Sequence, residues 1–148
     1  MTIKRLTLRQ AEFVAHRLVI ELMSSTTEPI PSFDTREPGK LESCLAEPFQ
    51  TFDGKYLHHT FFERAAVLFY LITKNHCFAN GNKRMAVTLT MLFFYTNKRW
   101  LYVDPKVLYK ISCDVANSDP KEKEVIQTAL VMFFKKFQVP PPKSNKKA

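Results

Sequence analysis

An all-α domain interrupted once by an extended segment is the fold class that the sequence predicts, and three observations predict it. Apolar residues recur at helical spacing in several separate stretches of the 148-residue chain. Those stretches are punctuated by helix-start chemistry, Thr7-x-x-Gln10, Asp104-Pro105 and Asp119-Pro120. Only one place, around Asp53-Gly54, combines a turn dipeptide with flanking residues suited to strands.

Taken in order, Thr7-x-x-Gln10 is a capping box, and Ala11, Val14, Ala15, Leu18 and Leu22 follow at helical spacing, which predicts a first packing helix. From Ser24 to Lys40 the Ser, Thr and Pro content, with Pro29, Pro31 and Pro38, marks a loop. A short helix through Leu41, Cys44 and Leu45 stops before Pro48, because the residue preceding a proline is pushed out of the helical region. Phe49-Gln50-Thr51-Phe52, Asp53-Gly54 and Lys55-Tyr56-Leu57 then suit either a hairpin or a surface loop: Asp-Gly readily takes the positive φ angles of a type I′ turn, but the flanks are short.

The stretch from Phe61 to Asn75 is apolar around most of its circumference and reads as a buried central helix, and Arg84 to Lys98 reads the same way. Between them, Asn80-Gly81-Asn82 is a natural helix start, with Asn as N-cap and Gly letting the backbone approach a ligand. Trp100 to Val103 suits a short extended piece. Asp104-Pro105 and Asp119-Pro120 each supply an N-cap and an N1 proline for helices carrying Val107, Leu108, Ile111 and Val115, then Val125, Ile126, Ala129, Leu130, Phe133 and Phe137. Beyond Gln138 the Pro and Lys content predicts a disordered tail, giving one domain over residues 1–138 and a basic tail over 139–148.

Composition narrows the function classes. Hydrophobic residues at 45% and 13 Phe belong to a folded chain with a real core. The longest apolar runs are too short to span a bilayer, and Lys4 and Arg5 lead into an amphipathic pattern and not a signal peptide, so no membrane partner is expected. Three scattered Cys, Cys44, Cys77 and Cys113, lack metal spacing and suit reduced thiols in the cytoplasm. The net charge of +8 falls to +5 without Lys143, Lys146 and Lys147 of the tail, so nucleic-acid binding is not required. Adjacent His58 and His59 point apart on an extended chain, which argues against a metal centre joining them to His76 and Cys77. His16 falls in the first helix.

The chemistry concentrates in His76-Cys77-Phe78-Ala79-Asn80-Gly81-Asn82-Lys83-Arg84. A lone imidazole precedes a helix N-terminus that already attracts anions, and two cations there, which the helix dipole disfavours, make sense around a phosphate. An imidazole titrates near working pH and suits a general base. A base beside a phosphate site suggests group transfer from a nucleotide.

This stretch resembles the signature of the Fic/Doc family, His-x-Phe-x-(Asp/Glu/Asn)-(Gly/Ala)-Asn-(Gly/Lys)-Arg, at every specified position, and the resemblance extends over roughly Leu41 to Leu101. Lys83 stands where nucleotidyl-transferring Fic proteins usually have Gly, and it points to the Doc (death-on-curing) branch. The resemblance implies a helical bundle with a β-hairpin flap at Phe49, Gln50, Thr51, Phe52, Asp53 and Gly54, which docks the target segment by strand addition. It implies His76 as the base, Phe78 as the loop anchor, and Asn80, Gly81, Asn82, Lys83 and Arg84 as the cradle for the phosphates of ATP or another nucleoside triphosphate.

Two departures carry information. Asn80 replaces the acidic residue that holds Mg²⁺ in most Fic proteins, and an amide oxygen is the weaker ligand, so Mg²⁺ is expected with Asn80 as a weak contact. Val87 stands where Fic nucleotidyl transferases carry a second Arg, which with Lys83 favours Doc-like phosphoryl transfer. No Glu is followed by Gly or Asn, so the inhibitory motif of self-inhibited Fic proteins is missing and an antitoxin in trans is expected. The resemblance further implies a toxin that modifies a translation factor such as elongation factor Tu. The alternatives are a Fic-type adenylyl or nucleotidyl transferase, or a catalytically inactive Fic-like binding module, which Asn80 keeps open.

Overall fold

The computed structural model describes residues 2–12, 39–78 and 81–143. Most of the expected first helix with His16, the proline-rich loop up to Pro38, and Ala79, Asn80 and the end of the tail lie outside the described residues. Helix α1 is described over residues 8–12. The Thr7 hydroxyl accepts from the Gln10 N–H at 3.1 Å, and the Gln10 side chain accepts from the Thr7 N–H at 3.1 Å, which is the expected capping box.

Helix α2 (Lys40–Ala46) buries Leu41, Cys44 and Leu45, and runs into a 3₁₀ turn over Glu47–Phe49. Strands β1 (Thr51–Phe52) and β2 (Lys55–Tyr56) pair antiparallel, with Thr51 opposite Tyr56 and Phe52 opposite Lys55. Asp53 at φ 54° and Gly54 at φ 77° between them are both left-handed, as a type I′ turn requires. The sequence alternatives of loop and hairpin therefore resolve to a hairpin. Phe49, expected in the flap, instead sits in the 3₁₀ turn with its ring edge-on to Phe93 at 6.1 Å. It anchors the hairpin's root because a large apolar ring gains more from burial than from an exposed strand position.

Helix α3 (Phe61–Lys74) is capped by the Thr60 hydroxyl accepting from the Glu63 N–H, and buries nearly all of its length. It packs against α2, α4 (Asn82–Thr96), α5 (Pro105–Ala116) and α6 (Lys123–Phe137). Asp104 and Asp119 cap as expected, each accepting a backbone N–H at 2.9 Å, although Asp119 first opens a 3₁₀ turn over Pro120–Glu122 that leads into α6. A cluster of rings joins three helices: Phe61 stacks on Phe93 at 4.9 Å, meets Phe94 edge-on at 4.8 Å, and Phe94 meets Phe134 at 5.3 Å.

Two further strands, β3 (Trp100–Leu101) and β4 (Gln138–Val139), pair antiparallel, with Trp100 opposite Val139. The expected extended piece after α4 thus has a partner at the very boundary drawn between domain and tail. Among the described residues no helix is long and apolar enough to cross a membrane.

Candidate active site

Helix α3 ends at Lys74, and the chain leaves it through Asn75 and then His76, whose φ of 49° lies in the left-handed region. A side chain there is strained, so the surrounding structure must hold it in place. His76 is exposed, while the next two residues, Cys77 and Phe78, are 0% and 3% exposed. Burying Phe78 fixes the loop to the core and leaves the imidazole at the surface.

The same loop is tied to α4 by Asn82. Its Oδ1 accepts from the Phe78 N–H at 3.0 Å and its Nδ2 donates to the Phe78 carbonyl at 3.0 Å, so one side chain satisfies both backbone groups. The N-cap of α4 is Gly81, at φ 73°, and not an Asn as the sequence suggested. The physical reason is that the Asn82 side chain is committed to Phe78, and glycine alone makes the left-handed turn without strain. Asn82 therefore acts first as a loop staple. Gly81 supplies no side-chain acceptor to the first turn of α4, which suits an anion at that end.

Lys83 is half-buried in that first turn, and Arg84 is 1% exposed. The Arg84 Nε and Nη2 atoms are buried and have no hydrogen-bond partner among the described residues. Burying a guanidinium costs several kcal/mol unless an anion compensates it, on the order of the penalties known for buried ions. An oxyanion is the ligand that this orphaned donor pair fits. Val87, one helical turn on, is fully buried in the core and presents nothing to a ligand.

The expected docking residues Gln50, Thr51, Phe52, Asp53 and Gly54 are all exposed, with Phe52 at 75%. Sequence reasoning missed what holds them. Arg64, buried on α3, places its guanidinium 4.9 Å from the Phe49 ring and 4.3 Å from the Tyr56 ring, and its Nε donates to the His58 carbonyl at 2.9 Å. The signal was a cation, Arg64, directly preceding the long apolar run from Ala65 to Ile72. Also missed was the meeting of two distant cysteines, Cys44 on α2 and Cys77 in the loop, at an Sγ–Sγ distance of 3.5 Å.

Asn80, the expected weak Mg²⁺ contact, lies outside the described residues. The described residues from His76 to Arg84 contain no carboxylate, and among all described residues no group of three His, Cys, Asp or Glu could hold a metal. The burial of His58 depresses its pKa, with Glu63 and Glu47 opposing the shift.

The arrangement joins an exposed imidazole, a rigidly stapled loop and an anion-seeking helix start. It can hold a phosphorylated ligand at α4 and accept a proton beside it. A sequence model of the Fic/DOC family matches residues 8–94, which run from the start of α1 through the hairpin and the loop to Phe94 on α4. No curated protein and no solved structure matches the chain.

Proposed function

The chain belongs to the Fic/DOC family, whose members are generally nucleotidyl or phosphoryl transferases that use nucleoside triphosphates, and we propose that it is a Doc-like kinase that phosphorylates a hydroxyl of a protein target. The observation that carries this reading is the buried Arg84 guanidinium, with Nε and Nη2 unpartnered among the described residues, in the first turn of a helix whose N-cap offers no side chain. A nucleotide phosphate supplies the charge that this group lacks. Lys83 beside it adds a second cation, and phosphoryl transfer depends mainly on such positioning and charge stabilisation.

In this reading the target hydroxyl lies beside His76. The imidazole takes the hydroxyl proton, the oxygen forms a bond to the γ-phosphorus, and the bond from that phosphorus to the β–γ bridging oxygen breaks, releasing the nucleoside diphosphate. The left-handed backbone at His76 and the Asn82 staple on Phe78 support a fixed path for the chain that carries the base. The exposed β1–β2 hairpin offers main-chain hydrogen bonds to an extended target segment.

Val87, buried where a nucleotidyl transferase would carry a second Arg, supports phosphoryl over adenylyl transfer. On the same reading the protein is a cytoplasmic toxin, its target a translation factor such as elongation factor Tu, and its inhibitor an antitoxin chain. The absence of any Glu-Gly or Glu-Asn pair in the sequence supports inhibition in trans.

The test is label transfer in a bacterial lysate, comparing ATP labelled at the γ-phosphate with ATP labelled at the α-phosphate. Transfer of γ-label alone, lost in His76→Ala, is the expected result. Transfer of α-label makes the protein an adenylyl transferase. No transfer of either, with the variant and parent equally folded, makes it a binding module.

A further inference from the structure

We infer that Cys44 and Cys77 form an oxidisable dithiol, which hydrogen peroxide closes to a disulfide that ties the His76 loop to α2. The sulfurs are 33 residues apart in sequence and 3.5 Å apart in space, and both side chains are fully buried. A disulfide needs an S–S separation of about 2.05 Å, so closure asks for a movement of roughly 1.5 Å shared between α2 and the loop. Neither Cys belongs to the group-transfer chemistry described above, and the third, Cys113, lies away from them on α5.

The two sulfurs are not equivalent. Cys44 and Cys77 share one hydrogen bond in which either sulfur can donate, and the Asn75 amide Nδ2 donates to the Cys44 Sγ alone, at 3.6 Å. The shared bond, ahead of the opposing effect of burial and together with the Asn75 amide, pulls the Cys44 pKa down, and the shared bond and burial push Cys77 up. Cys44 is therefore the nucleophile of the pair and Cys77 its proton-bearing partner. Although both are buried, their neighbours Asn75 and His76 are exposed, so the pair lies just beneath the surface that carries the base.

The steps balance. The Cys44 sulfur attacks one peroxide oxygen, the O–O bond breaks, and water leaves with a sulfenic acid formed on Cys44. The Cys77 sulfur then attacks the Cys44 sulfur, the S–O bond breaks, and a second water leaves. Two thiols are oxidised by two electrons and one peroxide is reduced to two waters. The link sits one residue from His76 and one from Phe78, the residue gripped by Asn82. A displacement of about 1 Å at a catalytic group is enough to cost on the order of a hundredfold in rate. This consequence for transfer, unlike the dithiol itself, rests on the function proposed above.

The experiment uses the full chain, fully reduced, then treated with hydrogen peroxide, digested and mapped by mass spectrometry without reduction. The expected map joins the Cys44 and Cys77 peptides and leaves Cys113 as a free thiol, and a thiol reductant reverses the link. Transfer of γ-label is expected to fall by about tenfold or more on oxidation, to recover on reduction, and to resist peroxide in Cys44→Ala. Cys44 and Cys77 both remaining alkylatable, both becoming sulfinic or sulfonic acids without a link, or either pairing with Cys113 overturns the inference. A link that leaves transfer unchanged overturns its coupling to the site. If the reduced protein transfers no label at all, the proposed kinase fails, and the peptide map alone still decides the dithiol.

Discussion

Arg84 is the residue whose energetics and function pull in opposite directions. Its guanidinium is buried with Nε and Nη2 unpartnered, so without an anion it is a cost to the fold. Replacing a buried charge by an apolar side chain of similar length is often neutral or stabilising, by about 1–4 kcal/mol. Arg84→Met is therefore expected to melt at the same temperature as the parent or higher without nucleotide, to lose the parent's stabilisation by added ATP, and to lose label transfer. Thermal melts with and without ATP check this, and a large loss of stability without nucleotide would give Arg84 a structural role instead. Asn82 should behave in the opposite way. Asn82→Ala removes both hydrogen bonds that the side chain makes to the Phe78 backbone, each worth about 0.5–1.5 kcal/mol. Asn82→Asp keeps an acceptor for the Phe78 N–H and loses the donor to its carbonyl, so a denaturation midpoint between Ala and the parent is the expected result.

The hairpin poses a similar question for an element. Strands of two exposed residues each do not hold themselves together in water, so β1–β2 must be held from below. Arg64 does this from α3, with its guanidinium between the Phe49 and Tyr56 rings and its Nε on the His58 carbonyl. Each such cation–ring contact is worth about 0.5–2 kcal/mol, comparable to what so small a hairpin can gain by itself. Arg64→Met is expected to raise amide hydrogen exchange in residues 50–57 while the amides of α3 and α4 keep their protection; equal loss everywhere would mean that Arg64 supports the core and not the hairpin. What the sequence made legible at this scale was local. Thr7 with Gln10, Asp53-Gly54, Asp104-Pro105 and Asp119-Pro120 each act within four residues, and each appears as its chemistry requires. The β3–β4 pair was not legible, because Trp100 and Val139 meet only after α5 and α6 have folded back. The Gly81 cap was missed for a related reason: the choice depends on Asn82 reaching back to Phe78, a contact that propensity does not encode.

At the scale of the whole molecule, both helices that flank the His76 loop are buried and share one aromatic cluster with α6. Those helices were readable from their all-round apolar character, and the site residues from the spacing of His76, Phe78, Asn82 and Arg84. Burial of Arg84, the grip of Arg64 on the hairpin and the meeting of Cys44 with Cys77 were not readable, since each depends on which helix faces lie together. The packing of α3 against α6 makes one last prediction. His58 borders the cleft between these helices with Glu63, Glu124 and Gln127, and burial holds its pKa below the ordinary 6.5, against the attraction of Glu63 and Glu47. The unfolded chain therefore takes up the proton first as the pH falls. The stability tied to neutral His58 is complete above pH 6.5 and is lost as the pH drops from there toward the folded-state value. Urea midpoints measured between about pH 7.5 and 5.5 should decline, and His58→Gln should flatten that decline while leaving the upper end near the parent's. An unchanged slope in the variant would assign the decline to other groups and show that the α3–α6 cleft admits a charged imidazole without cost.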